Sequence, residues 1–327
     1  MNAPYLLRLL CLSFASFFLV YLALALLSIA ATPAVIRVAK RTTPLAATRL
    51  LLFARLFPLG LSLLVVLGLC LPSYLLLEPE ASAERVGLAC LLAALAGALA
   101  WAISIVRAVR ASARSLEYLR RCRGLGADLR LAGEPLPLCL LEGETPVLAL
   151  AGVVRPRIVL SRAVLRSLSA EQLETALSHE RAHSVSHDNL KRLLLLLAPD
   201  PIPFVHGLSA LDRQWAKYAE WAADDRAVAG DTRRSLSLAS ALVRIARLGS
   251  PARIAPLMAS LLAADDELSA RVDRLLRSGS AGASSRSPRR AALAAAAMAA
   301  AFSLLLAVML QPATLSSVHH ILEHLIR

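Results

Sequence analysis

The feature that most limits how this chain can fold is a set of long Leu/Ala runs that are almost free of charge. They cover about residues 9–31, 56–77, 86–106 and 291–311. Crossing a bilayer as a helix takes about 20 apolar residues, and a helix satisfies its own backbone hydrogen bonds where water is absent. Four spans are therefore expected, the fourth being Ala-rich at its start. Of the 327 residues, 57% are hydrophobic, above the roughly 45–50% of an ordinary soluble domain. The first run is longer than the roughly 7–15 residues of a signal-peptide core, so it is read as a span that is kept.

Charge alternates between the runs. Arg37, Lys40, Arg41, Arg49 and Arg55 follow the first; Glu78, Glu80 and Glu84 with one Arg85 follow the second. Arg107, Arg110, Arg114, Arg120, Arg121 and Arg123 follow the third, and Arg286, Arg289 and Arg290 precede the fourth. Basic loops stay on the cytoplasmic side. The expected topology has the N-terminus outside, residues 107–290 inside and the C-terminus outside, in the inner (plasma) membrane. The net charge of +13 sits beside apolar runs and is not interleaved with aromatics, so nucleic acid is not an expected partner. Five cysteines without a CxxC pair suggest neither a disulfide framework nor a Cys-based metal site.

The domain plan that follows is three spans over 1–112, a cytosolic domain over 113–277, a flexible basic linker over 278–290, the fourth span over 291–311 and a short external tail over 312–327. Within the inside segment, residues 131–160 hold short apolar runs broken by Gly and Pro, which predict two or three strands, 147–151 and 157–160 being the clearest. From Ser169 the period is helical, and Gln172 three residues on completes a capping box. This helix is predicted to run to the prolines at 199, 201 and 203. The Leu run 193–197 is too short to span and suits a buried hairpin or a dip into the inner leaflet. Further helices are predicted over about 208–229, ending at Gly230, over 231–249 with Asp231 as N-cap, and over 266–276.

His179 and His183 are four apart on the first of these helices, so they share a face one turn apart. Two imidazoles at that spacing can bind one zinc ion, and Glu180 between them can take a proton from water. A catalytic zinc needs a third protein ligand. On the next helix Glu220 and Asp224 are also four apart. Glu220 is the candidate third ligand, and Asp224 can accept a hydrogen bond from the far nitrogen of a zinc-bound His. His187 extends the His stripe, but eight residues place it about 12 Å from His179 along the axis. It is therefore a flanking or substrate-contacting candidate, with Asp188 beside it. His206 reads as structural, and His319, His320 and His324 as a solvated tail. Arg213, Tyr218 and Arg226 lie near the site in sequence, and nothing singles out one of them to stabilise an oxyanion.

The stretch from Val153 to Leu190, with its HERAH and the following Asp188 and Asn189, resembles the peptidase domain of BlaR/MecR-type membrane metallopeptidases. So do the segment at Pro203 and Phe204, Glu220 with Asp224, and ELSARVDRLL at 267–276. The resemblance covers about 130–276. It implies an α-helical integral membrane protein carrying an α+β, mainly helical, gluzincin-like metallopeptidase domain with a small sheet. It implies one zinc ion per chain on His179, His183 and Glu220, with Glu180 as general base. The implied activity is endopeptidase cleavage of a cytosolic or membrane regulator, such as a transcriptional regulator, or self-cleavage in signal transduction. The family often has Arg just before the Asp-Asn pair, where this chain has Ser186 and His187. Only about 16 residues follow Gln311, so the external sensor domain of the β-lactam receptors is not expected. HtpX-like and Ste-type membrane peptidases share both motifs, which keeps a quality-control protease as an alternative. A non-catalytic transducer or scaffold is another, against which the intact Glu180 argues.

Overall fold

The computed structural model describes residues 3–77, 86–129, 134–143, 145–200, 207–249, 257, 259–260, 265–278, 311, 314, 316–318 and 320–321. Among the described residues, three helices are long and apolar enough to cross a membrane: Tyr5–Lys40, Pro44–Leu77 and Leu88–Cys122. The first belongs to α1 (Ala3–Lys40). The second is α2 (Pro44–Val65), a π-helical turn at Val66–Cys70 and α3 (Leu71–Leu77) in succession. The third belongs to α4 (Leu88–Leu125), which carries on past the expected domain boundary at 112/113. The fourth predicted span and the linker before it lie outside the described residues.

The three helices bundle through small side chains and aromatic rings. At Gly97 of α4 an added Cβ would stand 2.6 Å from the Phe14 carbonyl oxygen of α1, so this close approach requires glycine. One end of the bundle gathers Tyr5, Leu12, Tyr74 and Cys90 into a cluster, and Val318 from the C-terminal tail packs onto it. The other end carries the water-facing domain.

That domain contains a five-stranded sheet ordered β1-β2-β4-β3-β5. Its strands are β1 (Gly126–Leu129), β2 (Leu138–Leu141), β3 (Leu148–Ala151), β4 (Arg157–Ser161) and β5 (Ala259–Ser260). β2 and β4 run parallel, and the other pairs are antiparallel. β3 and β4 match the two clearest predicted strands, whereas β1 and β5 carry no alternating pattern long enough to be noticed. β2, β3 and β4 are almost wholly buried because helices cover one face and the end of α4 the other.

The helices of the domain are α5 (Arg162–Ser167), α6 (Ala170–Ser186), α7 (Asp188–Leu197), α8 (Gly207–Val228), α9 (Thr232–Arg247) and α10 (Asp265–Ser278). Ser169 and Gln172 form the expected capping box, and Asp231 caps α9 through the Arg233 N–H. α8 ends in left-handed Ala229 and Gly230. The single helix predicted from Ser169 to the prolines is in fact two. His187 adopts a left-handed conformation with φ 56° and breaks it after one more turn than HERAH needs.

α7 and α8 lie against the spans. The Tyr21 hydroxyl donates to the Pro199 carbonyl at 2.5 Å, so the end of α7 reaches alongside the bundle. Arg55, only 1% exposed, donates to Asp212 of α8 at 3.1 Å and to Asp200 at 2.9 Å, and Arg107 donates to Asp200 at 2.7 Å. These four residues tie α2 and α4 to the two helices that flank the site described next. Arg55→Met would leave the two carboxylates facing an apolar side chain. Asp200 keeps Arg107 and both carboxylates are 35% exposed, so the cost falls below the figure of about 3–5 kcal/mol for a fully buried pair. The expected outcome is a fall of several degrees in the unfolding midpoint in detergent, measured by differential scanning fluorimetry, with retention of the bundle by circular dichroism.

Candidate metal centre

α6 packs across α8, and the contact faces carry the polar groups singled out above. His179, Glu180, His183 and Asp224 are fully buried, and Glu220 is 1% exposed. His179 Nε2 and His183 Nε2 stand 3.1 Å apart, and Glu220 Oε2 is 3.4 Å from the first and 3.6 Å from the second. The imidazoles meet edge to face, at 82°. Metal–ligand bonds of about 2.0–2.1 Å in a tetrahedron put neighbouring ligand atoms ~3.3 Å apart. The three atoms therefore fit around one zinc-sized ion, and this trio is the group among the described residues that could hold a metal.

The outer nitrogens of both rings are occupied. His179 Nδ1 lies 2.9 Å from Asp224 Oδ1, and His183 Nδ1 lies 2.8 Å from Asp188 Oδ2. A carboxylate that accepts from Nδ1–H keeps the ring proton on that nitrogen and leaves Nε2 as the lone-pair donor. Each ring is thus turned with its basic nitrogen toward the common point. Asp188 also accepts from Lys191 at 3.0 Å. Its neighbour Asn189 donates to the carbonyls of Leu150 and Gly152, at 3.1 and 2.9 Å, which fastens β3 beside the site. The break at His187 is what allows this. It turns α7 so that Asp188 swings back onto His183, while His187 itself is exposed and bonds only the Val185 carbonyl.

Two arginines that sequence reasoning did not select complete the charge balance. Arg271 of α10, 1% exposed, bonds Asp224 through Nε at 3.0 Å and Nη2 at 2.6 Å, and its Nη1 lies 3.4 Å from Glu220. Arg192 of α7 reaches the other Glu220 oxygen at 3.4 Å and lies over the Trp215 ring. The signal for Arg271 was present. Leu268, Val272 and Leu275 form the buried face of α10, and Arg271 is a charged residue on that apolar face. The three residues weighed as oxyanion stabilisers stand elsewhere. Arg213 bonds Ser209, Tyr218 packs edge to face on Trp221, and Arg226 bonds the Ala182 carbonyl and Ser186. His320 is exposed, and His206, His319 and His324 lie outside the described residues.

The electrostatics follow from burial and neighbours. Burial would raise Glu220, but His183, His179 and Arg271 hold it well below the ordinary carboxylate value. Burial acts the same way on Asp224 and is overcome by Arg271 and His179, leaving it at about 2. Burial would lower His183, yet Glu220 and Asp188 push it up to about 10. Glu180 differs. No side chain bonds either of its oxygens, and burial pushes its carboxyl up to about 7 against the pull of both histidines and of the Leu150 backbone. A buried carboxyl without a side-chain partner is available to exchange a proton near neutrality.

Beside Glu180 runs β3, whose backbone at Leu150 faces the carboxyl. An extended peptide adding to this strand would use the edge away from β4. That edge is taken by the chain's own Ala259–Ser260, paired with Leu150 and Ala149. Free-edge addition to β3 is thus replaced by an internal strand in the same place.

A family model described as BlaR1 peptidase M56 matches residues 81–275. No curated protein matches the chain. The matched region includes the third apolar helix, the sheet, both motif helices and Arg271. Replacing Arg271 with Met would strand Asp224 and Glu220 without their shared cation, at a cost of about 3–5 kcal/mol. The metal-free chain should melt markedly earlier by scanning fluorimetry, whereas Arg277→Met, on the exposed side of α10, should stay within about 0.5 kcal/mol.

Proposed function

We propose that this chain, which belongs to the BlaR1 peptidase family M56, is a zinc-dependent endopeptidase that cuts protein substrates at the cytosolic face of the inner membrane. The family makes it a peptidase, and its three apolar helices associate it with a bilayer. The observation that carries the zinc reading is the triangle of His179, His183 and Glu220 atoms, with a carboxylate on the outer nitrogen of each ring.

In this reading His179, His183 and Glu220 hold one zinc ion. Zinc held there supplies Lewis acidity toward a peptide carbonyl and toward water. Glu180 takes the proton of the attacking water and passes it to the leaving amine, a task suited to a carboxyl poised near neutral pH. Asp224 and Asp188 hold the two rings in the orientation the ion requires, and Arg271 fixes Asp224 and Glu220 in turn. His187, exposed at the end of α6, is no ligand in this reading and stays a flanking or substrate-contacting residue.

Orientation rests on the basic loops at the domain end of the bundle and the acidic loop at the other. The contact of Val318 with Tyr5, Tyr74 and Cys90 favours a fourth crossing over 291–311, which would return the tail to the outer end. The domain plan is then three spans, an inside peptidase domain ending near residue 277, a linker, a fourth span and an outer tail.

The substrate is a cytosolic or membrane regulator, and one observation favours self-cleavage as well. Ala259–Ser260 lies antiparallel on β3, where a substrate strand would lie, and β5 contacts α6. Regulation in a signalling path would then begin with cutting this segment.

Three outcomes test the reading in the purified full chain. Wild type should carry zinc by elemental analysis, and Glu220→Gln or His179→Ala should lose it, with affinity down roughly 10–100-fold or more. Glu180→Gln should keep the metal and lose roughly 100-fold or more of its peptide-bond hydrolysis. Undiminished cleavage by a zinc-loaded Glu180→Gln would overturn the assignment of the base. If the chain cuts itself, mass spectrometry of wild type should find new termini near residue 260 that Glu180→Gln lacks.

A further inference from the structure

A second cavity, of about 210 Å3, opens between the start of α2 and the α6–α7–α8 face of the domain. Three cations line it: Arg49 from α2, Lys191 from α7 and Arg226 from α8. The hydroxyl side chains of Thr48 and Ser186 line it too, and no carboxylate does among the described residues. Arg226 is held in place by bonds to the Ala182 carbonyl, at 3.0 Å, and to Ser186 Oγ, at 2.5 Å. At about 30 Å3 per water, the volume admits roughly seven waters, enough for a phosphate with part of an attached alcohol. The neighbouring cavity at Arg55 and Arg107 differs. Asp200 and Asp212 line it and already take both guanidiniums.

The position of the basic cavity says what kind of anion would meet it. The second apolar helix has 34 residues, or about 50 Å of rise. A hydrocarbon core is about 30 Å thick. The first turns of α2, which carry Arg49, therefore stand at headgroup level. The rim is apolar on two sides, with Leu45 41% and Val185 68% exposed. Arg37, Lys40 and Arg41 are exposed at the adjacent end of α1. Such a basic margin draws anionic lipid to the surface.

We infer that this cavity is a binding site for a phosphate ester, filled by the headgroup of an anionic phospholipid whose chains lie along Leu45 and Val185. Arg49, Lys191 and Arg226 bind the phosphate oxygens, and the Ser186 hydroxyl donates to one that remains. Lys191 also bonds Asp188, the residue on His183, so the lipid site and the metal centre share one side chain. The inference is independent of the peptidase chemistry, because it rests on the cavity and on the spanning helices.

The test is native mass spectrometry of the full chain in neutral detergent, titrated with phosphatidylglycerol, with phosphatidylcholine as the zwitterionic control, and with inorganic phosphate. Wild type should retain one phosphatidylglycerol about tenfold more tightly than phosphatidylcholine, the effect of one charge-assisted contact. Arg49→Glu should abolish that preference, and Arg49→Lys should restore most of it. Arg49 is exposed, so neither variant threatens the fold, and Arg277→Glu on α10 should behave as wild type. Displacement of the lipid by millimolar phosphate would show that the free ion shares the site; no displacement would assign it to lipid alone. Equal retention of the two lipids by wild type, or an unchanged preference in Arg49→Glu, would overturn the proposal.

Discussion

Four carboxylates, Glu180, Asp188, Glu220 and Asp224, are sealed between α6, α7 and α8, and much of the domain is arranged around their charge. An ionised carboxylate taken out of water without partners costs several kcal/mol. Three of the four are answered. Asp224 has a two-point contact with Arg271, Asp188 has Lys191 and His183, and Glu220 has Arg192, Arg271 and both imidazoles. Glu180 alone has no cation or side-chain donor bonded to it, and it is the group whose proton affinity burial lifts toward neutrality. The same balance explains the placing of α10. A helix that buries one arginine among leucines is held at the site by the two carboxylates that guanidinium meets.

The site is also coupled to the bundle of apolar helices by short, rigid elements. α8 carries Asp212, which meets Arg55 of α2, and two turns later Glu220. α7 carries Arg192 at the site and leads into Asp200, which bridges Arg55 and Arg107. The ion cluster at the spans and the metal centre are thus built on the same two helices, about 12 Å apart along α8. Through Lys191, which bonds Asp188 and lines the basic cavity, the centre also has a polar connection to that cavity.

The sheet contributes position more than chemistry. β3 is pinned to the site by Asn189, so the Asp-Asn pair does two separate jobs from adjacent residues: one orients a ring and the other anchors a strand. The left-handed break at His187 makes both possible, and the third histidine of the stripe is itself exposed while the first two are buried. Helical periodicity alone extends through His187. The break is decided by the two carboxamide bonds and the carboxylate–imidazole contact that only a turned α7 can make.

Much of this protein was legible in the sequence for physical reasons. Apolar runs of spanning length, the capping box at Ser169, the Asp231 cap and the clear strands 147–151 and 157–160 are local patterns, and local patterns set helix ends and strand faces. The pairing of His179 with His183, and of Glu220 with Asp224, follows from the 3.6-residue turn. What only the tertiary structure decided was everything that joins residues distant in the chain. It brought Glu220 within 3.4 Å of His179, put Arg271 on Asp224 across 47 positions, laid Ala259–Ser260 on β3 and set Arg55 among Asp200 and Asp212. No periodicity encodes those contacts, because they answer the charge and hydrogen-bond demands of groups that become neighbours only when the helices have packed.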